Sequence, residues 1–127
     1  MNTNILKIDK EVEIAYIEIF SSSFNSRIII TEELEGNSDF EIDLDGENRV
    51  KGLEVFGETY ELLKSMVDIN KYILVDEGYY WGKKKPQSTF DLIYQGIKLH
   101  FLNQDHTNFV GLTIIDAEKY PKRYLHF

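Results

Sequence analysis

Residues 32–47, EELEGNSDFEIDLDGE, carry eight carboxylates and no base. The formal net charge of the whole chain is −8, so this one stretch holds the imbalance. Carboxylates in such number can bind a cation, act as a general acid and base, or face a basic partner. Spacing bears on the choice. Asp39, Glu41, Asp43 and Asp45 recur every second residue, which in a strand places all four opposite Phe40, Ile42 and Leu44. Neighbours on such a face lie roughly 6.5–7 Å apart at Cα, and their repulsion is screened within a Debye length of about 8 Å. Two readings stand. The ladder, with Glu47 beyond it, is either a solvated face beside Arg49 and Lys51 or a surface that steers a basic partner.

Other chemistries fit less well. DLDGEN resembles a fragment of a calcium loop, but Gly46 directly follows the second aspartate and glycine stands at 52, where the loop needs glutamate. A looser cation site from Asp43, Asp45 and Glu47 remains as an alternative. His100, His106 and His126 lack a metal spacing, and Asp105 beside His106 reads as turn chemistry. There is no cysteine, no G-x-S-x-G and no glycine-rich phosphate cradle. Ser21–Ser23 and Ser26 fall in a turn. Glu18 and Glu54 could pair as acid and base, but glutamates are too frequent here to single them out. The expectation is a chain with no catalytic residue, no metal and no cofactor.

YYWGKKKPQS (79–88) is the second feature. Its glycine, proline and lysines read as a loop. Tyr79, Tyr80 and Trp81 would then be either a binding hot spot or rings that fold back onto the core. Lys83–Lys85 are solvated or answer the acidic face.

Strands must position these groups. VEIAYIEIF (12–20) alternates with both faces largely apolar, which suits an interior strand. RIIITEEL (27–34) is β-branched. DFEIDLD (39–45), the turn GENR and VKGLEVF (50–56) form a hairpin. In GETYELLKSMVDI the period changes, because Tyr60, Leu63, Met66 and Val67 recur at helical spacing, and Glu58 or Thr59 can start the helix. INKYILVDEG (69–78) fits either a helical segment or a short strand. TFDLIYQ (89–95), IKLHFLN (97–103) and FVGLTIID (109–116) are strands, turned at Gly96 and at QDHTN. VKGLEVFGE (50–58) can be laid over FVGLTIIDAE (109–118) through Gly52 and Gly111. That is either an internal repeat or the pattern any two hairpins share.

The fold expected is therefore α+β: antiparallel β-meanders in one curved sheet, with a helix at about 58–67 packed on one face. The 127 residues suit a single domain, with meander halves at about 5–57 and 89–116 joined by a helical segment and loop. A hydrophobic fraction of 43% is enough to bury a core. The N-terminal stretch alternates instead of running apolar, so it does not read as a signal peptide, and no run is long enough for a membrane span. Acidity disfavours nucleic acid and anionic membrane as partners. The absence of cysteine fits a cytoplasmic location.

IDKEVEIAYIEI (8–19) and IDLDGENRVKGLEV (42–55) resemble the D-x-E-x-D-x-x-Y-I opening and D-x-D-x-x-G-x-x-x-G-I-E-I close of a family of small bacterial domains of unknown function. The matching positions are Asp9, Glu11, Tyr16, Ile17, Asp43, Asp45, Gly52, Leu53 and Glu54. Glu13 replaces the second opening aspartate, and Gly46 comes early. The resemblance implies a β-meander followed by a helix and carries no activity. In style the whole chain is similar to the immunity proteins of bacterial toxin systems. That similarity implies a non-catalytic protein whose partner is a basic toxin domain, and the acidic stretch and the aromatic cluster make Asp39, Glu41, Asp43, Asp45, Glu47, Tyr79, Tyr80 and Trp81 the expected contact residues. The rival reading is a structural or housekeeping domain with a solvated acidic face, and a small enzyme is the third.

Overall fold

The computed structural model describes residues 4–22, 24–84 and 86–127. Among the described residues ten strands form two antiparallel five-stranded sheets. The first contains β1 (Leu6–Asp9), β2 (Ile14–Glu18), β3 (Ile28–Glu33), β4 (Phe40–Asp45) and β5 (Val50–Val55), in the order β1-β2-β5-β4-β3. The second contains β6 (Ile73–Val75), β7 (Gly78–Gly82), β8 (Phe90–Tyr94), β9 (Ile97–Phe101) and β10 (Phe109–Ile114), in the order β6-β7-β10-β9-β8. The fold is mainly β with one helix, broadly α+β as expected. The single curved sheet is corrected to two, because β5 closes on β2 and β10 closes on β7 within each half. The second half also begins earlier than residue 89, at Ile73.

Period-two patterning explains the core. Phe40, Ile42 and Leu44 of β4 face inward with Ala15, Ile17, Leu53 and Val55. They meet Leu99, Phe101 and Leu112 of the second sheet in one continuous cluster. The Phe40 ring stands edge-on to Phe101 at 6.1 Å and to Phe109 at 5.3 Å. Polar links also stitch the halves. The Val50 N–H donates to the Tyr120 hydroxyl, the Tyr72 hydroxyl donates to the Ile19 carbonyl, and Asn37 Nδ2 donates to the His106 carbonyl.

The helix, α1, spans Gly57–Leu63 and tightens into a 3-10 turn at Lys64–Met66. It is shorter than the 58–67 expected, although Tyr60, Leu63 and Met66 do enter the core. Phe56, at its N-cap, makes no side-chain cap. The cap comes from Asp39, whose carboxylate accepts from the Thr59 N–H and hydroxyl at 3.2 and 2.8 Å.

The overlay through Gly52 and Gly111 holds residue for residue in the pairing. Gly52 lies opposite Asp43, and the register then skips Lys51 to place Val50 opposite Leu44. Gly111 lies opposite His100, and the register skips Val110 to place Phe109 opposite Phe101. Both β5 and β10 therefore bulge at the same place. At each glycine a tyrosine from the neighbouring strand fills the space a side chain would need. A Cβ on Gly52 would fall 2.1 Å from the Tyr16 oxygen, and one on Gly111 would fall 2.5 Å from that of Tyr80. The two sheets share one strand order and one register across their central strands, while β3 carries a bulge that β8 lacks.

Candidate functional site

The expected contact residues separate into two groups. Asp39 is committed to capping α1. Asp43 is buried on the outer side of β4, where it accepts from the Tyr16 hydroxyl at 3.1 Å and the Thr31 hydroxyl at 2.6 Å. Asp45 is buried too, and takes the Arg49 guanidinium at 2.9 Å together with the backbone N–H groups of Glu47 and Arg49. The ladder is not uniformly exposed, which corrects the expectation for Asp43 and Asp45: neighbouring Tyr, Thr and Arg side chains cover these carboxylates and satisfy them. Glu41 and Glu47 remain accessible, and Glu47 also pairs with Arg49.

The aromatic trio is likewise structural. Residues 79–82 belong to β7 and not to a loop, because Tyr79 and Trp81 alternate inward with Tyr80 outward. Trp81 is fully buried and donates its indole N–H to the Ile69 carbonyl at 2.7 Å. Tyr80 is covered, and its hydroxyl donates to the Lys83 carbonyl. Burial pushes that hydroxyl up to about 12. Tyr79 is half-buried, edge-on to Phe127. None of the three stands out as a solvated anchor. Lys85 and Ser23 lie outside the described residues.

What the outer side of the first sheet does present is a transverse row. Glu33 of β3 lies opposite Glu41 of β4, and Glu41 lies opposite Glu54 of β5. Tyr16 and Lys7 continue the row across β2 and β1. Side chains directly opposite are roughly 4.5–5.5 Å apart at Cβ, and like charges so placed oppose the fold. Burial, and then the charges of Asp43 and Glu41, hold the Glu54 carboxyl above the usual glutamate range. Among the described residues none of these three glutamates has an ion-pair partner, whereas Glu18 on the same face pairs with Lys7 at 2.7 Å. Sequence reasoning named Glu41 but missed Glu33 and Glu54 as its neighbours. Those come from pairing register, and the turn at 46–49 was the signal that could have aligned β4 with β5.

The second sheet serves as an internal control. The positions equivalent to Glu33, Glu41 and Glu54 hold Ile93, Lys98 and Thr113, and Lys98 is bonded to Glu77. The same architecture thus stands without carboxylates there, so the acidic row is not a requirement of the fold. In place of Asp43 the second sheet has His100, with Nδ1 2.8 Å from Asp91 and Nε2 2.6 Å from the Thr113 hydroxyl. Acid, imidazole and hydroxyl in that order resemble an activated nucleophile. Both His100 and Thr113 are wholly buried, so the hydroxyl meets no substrate. The trio knits β8, β9 and β10 together.

Asp43, Asp45 and Glu47 do not converge on a cation. Among the described residues no group of three or more carboxylates or imidazoles is placed to hold a metal. Among the same residues no helix is long and apolar enough to cross a membrane. Comparison with known proteins finds no matching family model, no matching curated protein and no matching solved structure.

Proposed function

We propose that this chain is a non-catalytic binding protein of the immunity type, acting in the cytoplasm, which occupies and neutralises a basic toxin domain. The observation that carries the reading is the row Glu33–Glu41–Glu54. Three carboxylates with no ion-pair partner among the described residues face one another across three strands, an arrangement that opposes folding, while the equivalent positions of the second sheet carry none. A surface that opposes its own folding gains from a partner that supplies the missing positive charge. The reading keeps the electrostatic logic of the acidic stretch and moves its contact residues from Asp43 and Asp45 to this row. Tyr79, Tyr80 and Trp81 support the scaffold.

The test is a triple variant, Glu33→Gln, Glu41→Gln, Glu54→Gln, compared with the parent against the toxin encoded beside its gene. The variant should melt no lower than the parent, since repulsion is relieved. Association should slow about tenfold or more, and raised salt should slow the parent in the same way. A variant that binds and protects cells as well as the parent at both ionic strengths overturns the reading.

A further inference from the structure

The edge strands β3 and β8 face each other across a groove at the junction of the two sheets. The Tyr94 hydroxyl donates to the Glu32 carboxylate across that junction. A Cβ on Gly36 would sit 3.1 Å from the Leu92 side chain, so the loop after β3 rests on β8. The groove has a volume of about 580 Å³, within the range of roughly 300–1,000 Å³ typical of small-ligand pockets.

The groove has two unlike walls. Leu92, Ile93 and Tyr94 of β8 form an apolar one, and Ile93 is 65% exposed. Glu32, Glu33 and Glu35 form the other. Among the described residues no lysine or arginine lines it, and His106 is the one basic residue there. Burial and then Glu32 push the Tyr94 hydroxyl up to about 12. Glu33 belongs both to this groove and to the transverse row, so the groove opens at the end of the acidic face.

A ligand that satisfies both walls has an aliphatic stem and a cationic head. We propose that the groove receives a lysine or arginine side chain from the basic partner. The stem lies along Leu92 and Ile93, the head sits against the glutamate wall, and Tyr94 offers its ring to the cation. A carboxylate would be repelled here, and a purely apolar side chain would leave the acidic wall unanswered. The source of the side chain rests on the function proposed above, while the fit of the groove to such a group does not.

The groove is tested with a small probe and no partner. N-acetyl-arginine amide is titrated into the 15N-labelled chain, with N-acetyl-norleucine amide as the uncharged control. The arginine probe should give saturable amide shifts confined to residues 32–36, 92–94 and 106, at millimolar concentration. Glu35→Gln should weaken the titration about threefold. Ile93→Lys, a change at an exposed position, should abolish it by placing a tethered cation in the groove. Shifts that map instead to Glu41 and Glu54, shifts equal for the norleucine control, or no saturable shift overturn the groove. Each of these leaves the acidic row to be judged by its own kinetic test. Groove shifts in a parent that ignores the adjacent toxin would sink the function and keep the groove.

Discussion

Asp45 and Glu54 face the same side of the first sheet, yet their carboxyls are displaced in opposite directions. Burial alone would raise Asp45, but the backbone N–H groups of Arg49 and Glu47 and the Arg49 guanidinium outweigh it and hold it below the usual aspartate range. Glu54 has burial and two carboxylate neighbours, and is raised. The pH dependences follow with opposite sign. Asp45 contributes stability above its unfolded value of about 3.9, and that contribution disappears as pH falls through the lower folded value. Asp45→Asn should therefore cost about 1–3 kcal/mol at pH 7, and less at pH 3. Glu54 keeps its proton to higher pH in the folded chain than in the unfolded one, so its ionisation opposes folding as pH rises. Glu54→Gln should leave the protein at least as stable as the parent at pH 7, with the difference vanishing below about pH 4. Urea midpoints for the two variants at pH 7 and pH 3 check both signs.

Among the elements, the two bulged strands give the sharpest contrast. A Cβ on Gly111 would meet the Trp81 backbone oxygen at 2.5 Å, an obstacle that cannot rotate away. At Gly52 the obstacle is the half-buried Tyr16 side chain, which can swing outward. Gly111→Ala should cost about 1–3 kcal/mol, and Gly52→Ala less, as read from thermal midpoints. In α1, Leu63 is fully buried, so Leu63→Ala should cost roughly 2–5 kcal/mol; a midpoint that barely moves would show that the site collapses around the loss. Strands with clean alternation, such as Phe40–Asp45, were legible from sequence because one face is apolar and the register follows. Residues 78–82 were not, since two glycines and the lysines beyond them mask an inward pair, Tyr79 and Trp81. The exposure of Asp43 and Asp45 was misjudged for a related reason. Charge in a sequence reads as solvent, and the residues that cover these two groups, Tyr16, Thr31 and Arg49, lie on other strands or beyond a turn. The acidic row itself was half legible: Glu41 stood in the pattern, but its opposition to Glu33 and Glu54 exists only once three strands are aligned.

At the scale of the molecule, two copies of one topology share a single core, and neither sheet buries its inner face without the other. The sharing predicts one unfolding transition. Trp81, the sole tryptophan, reports from the second sheet, while far-UV circular dichroism reports on all ten strands. Their midpoints should coincide. Phe40→Ala, a change in the first sheet, should lower the Trp81 midpoint along with the dichroism, by about 3–5 kcal/mol in stability. Two resolved transitions would show the halves to be independent.

The shared core also sets an order in time. The ribosome delivers all five strands of the first sheet before any strand of the second, and β10 ends at Ile114, well after β5 ends at Val55. At roughly 5–20 residues per second, the inner face of the first sheet waits on the order of 3–12 s for its cover. During that wait Phe40, Ile42 and Leu53 are wet, and the nascent chain presents its own greasy surface to holdase chaperones and to its neighbours on the same message.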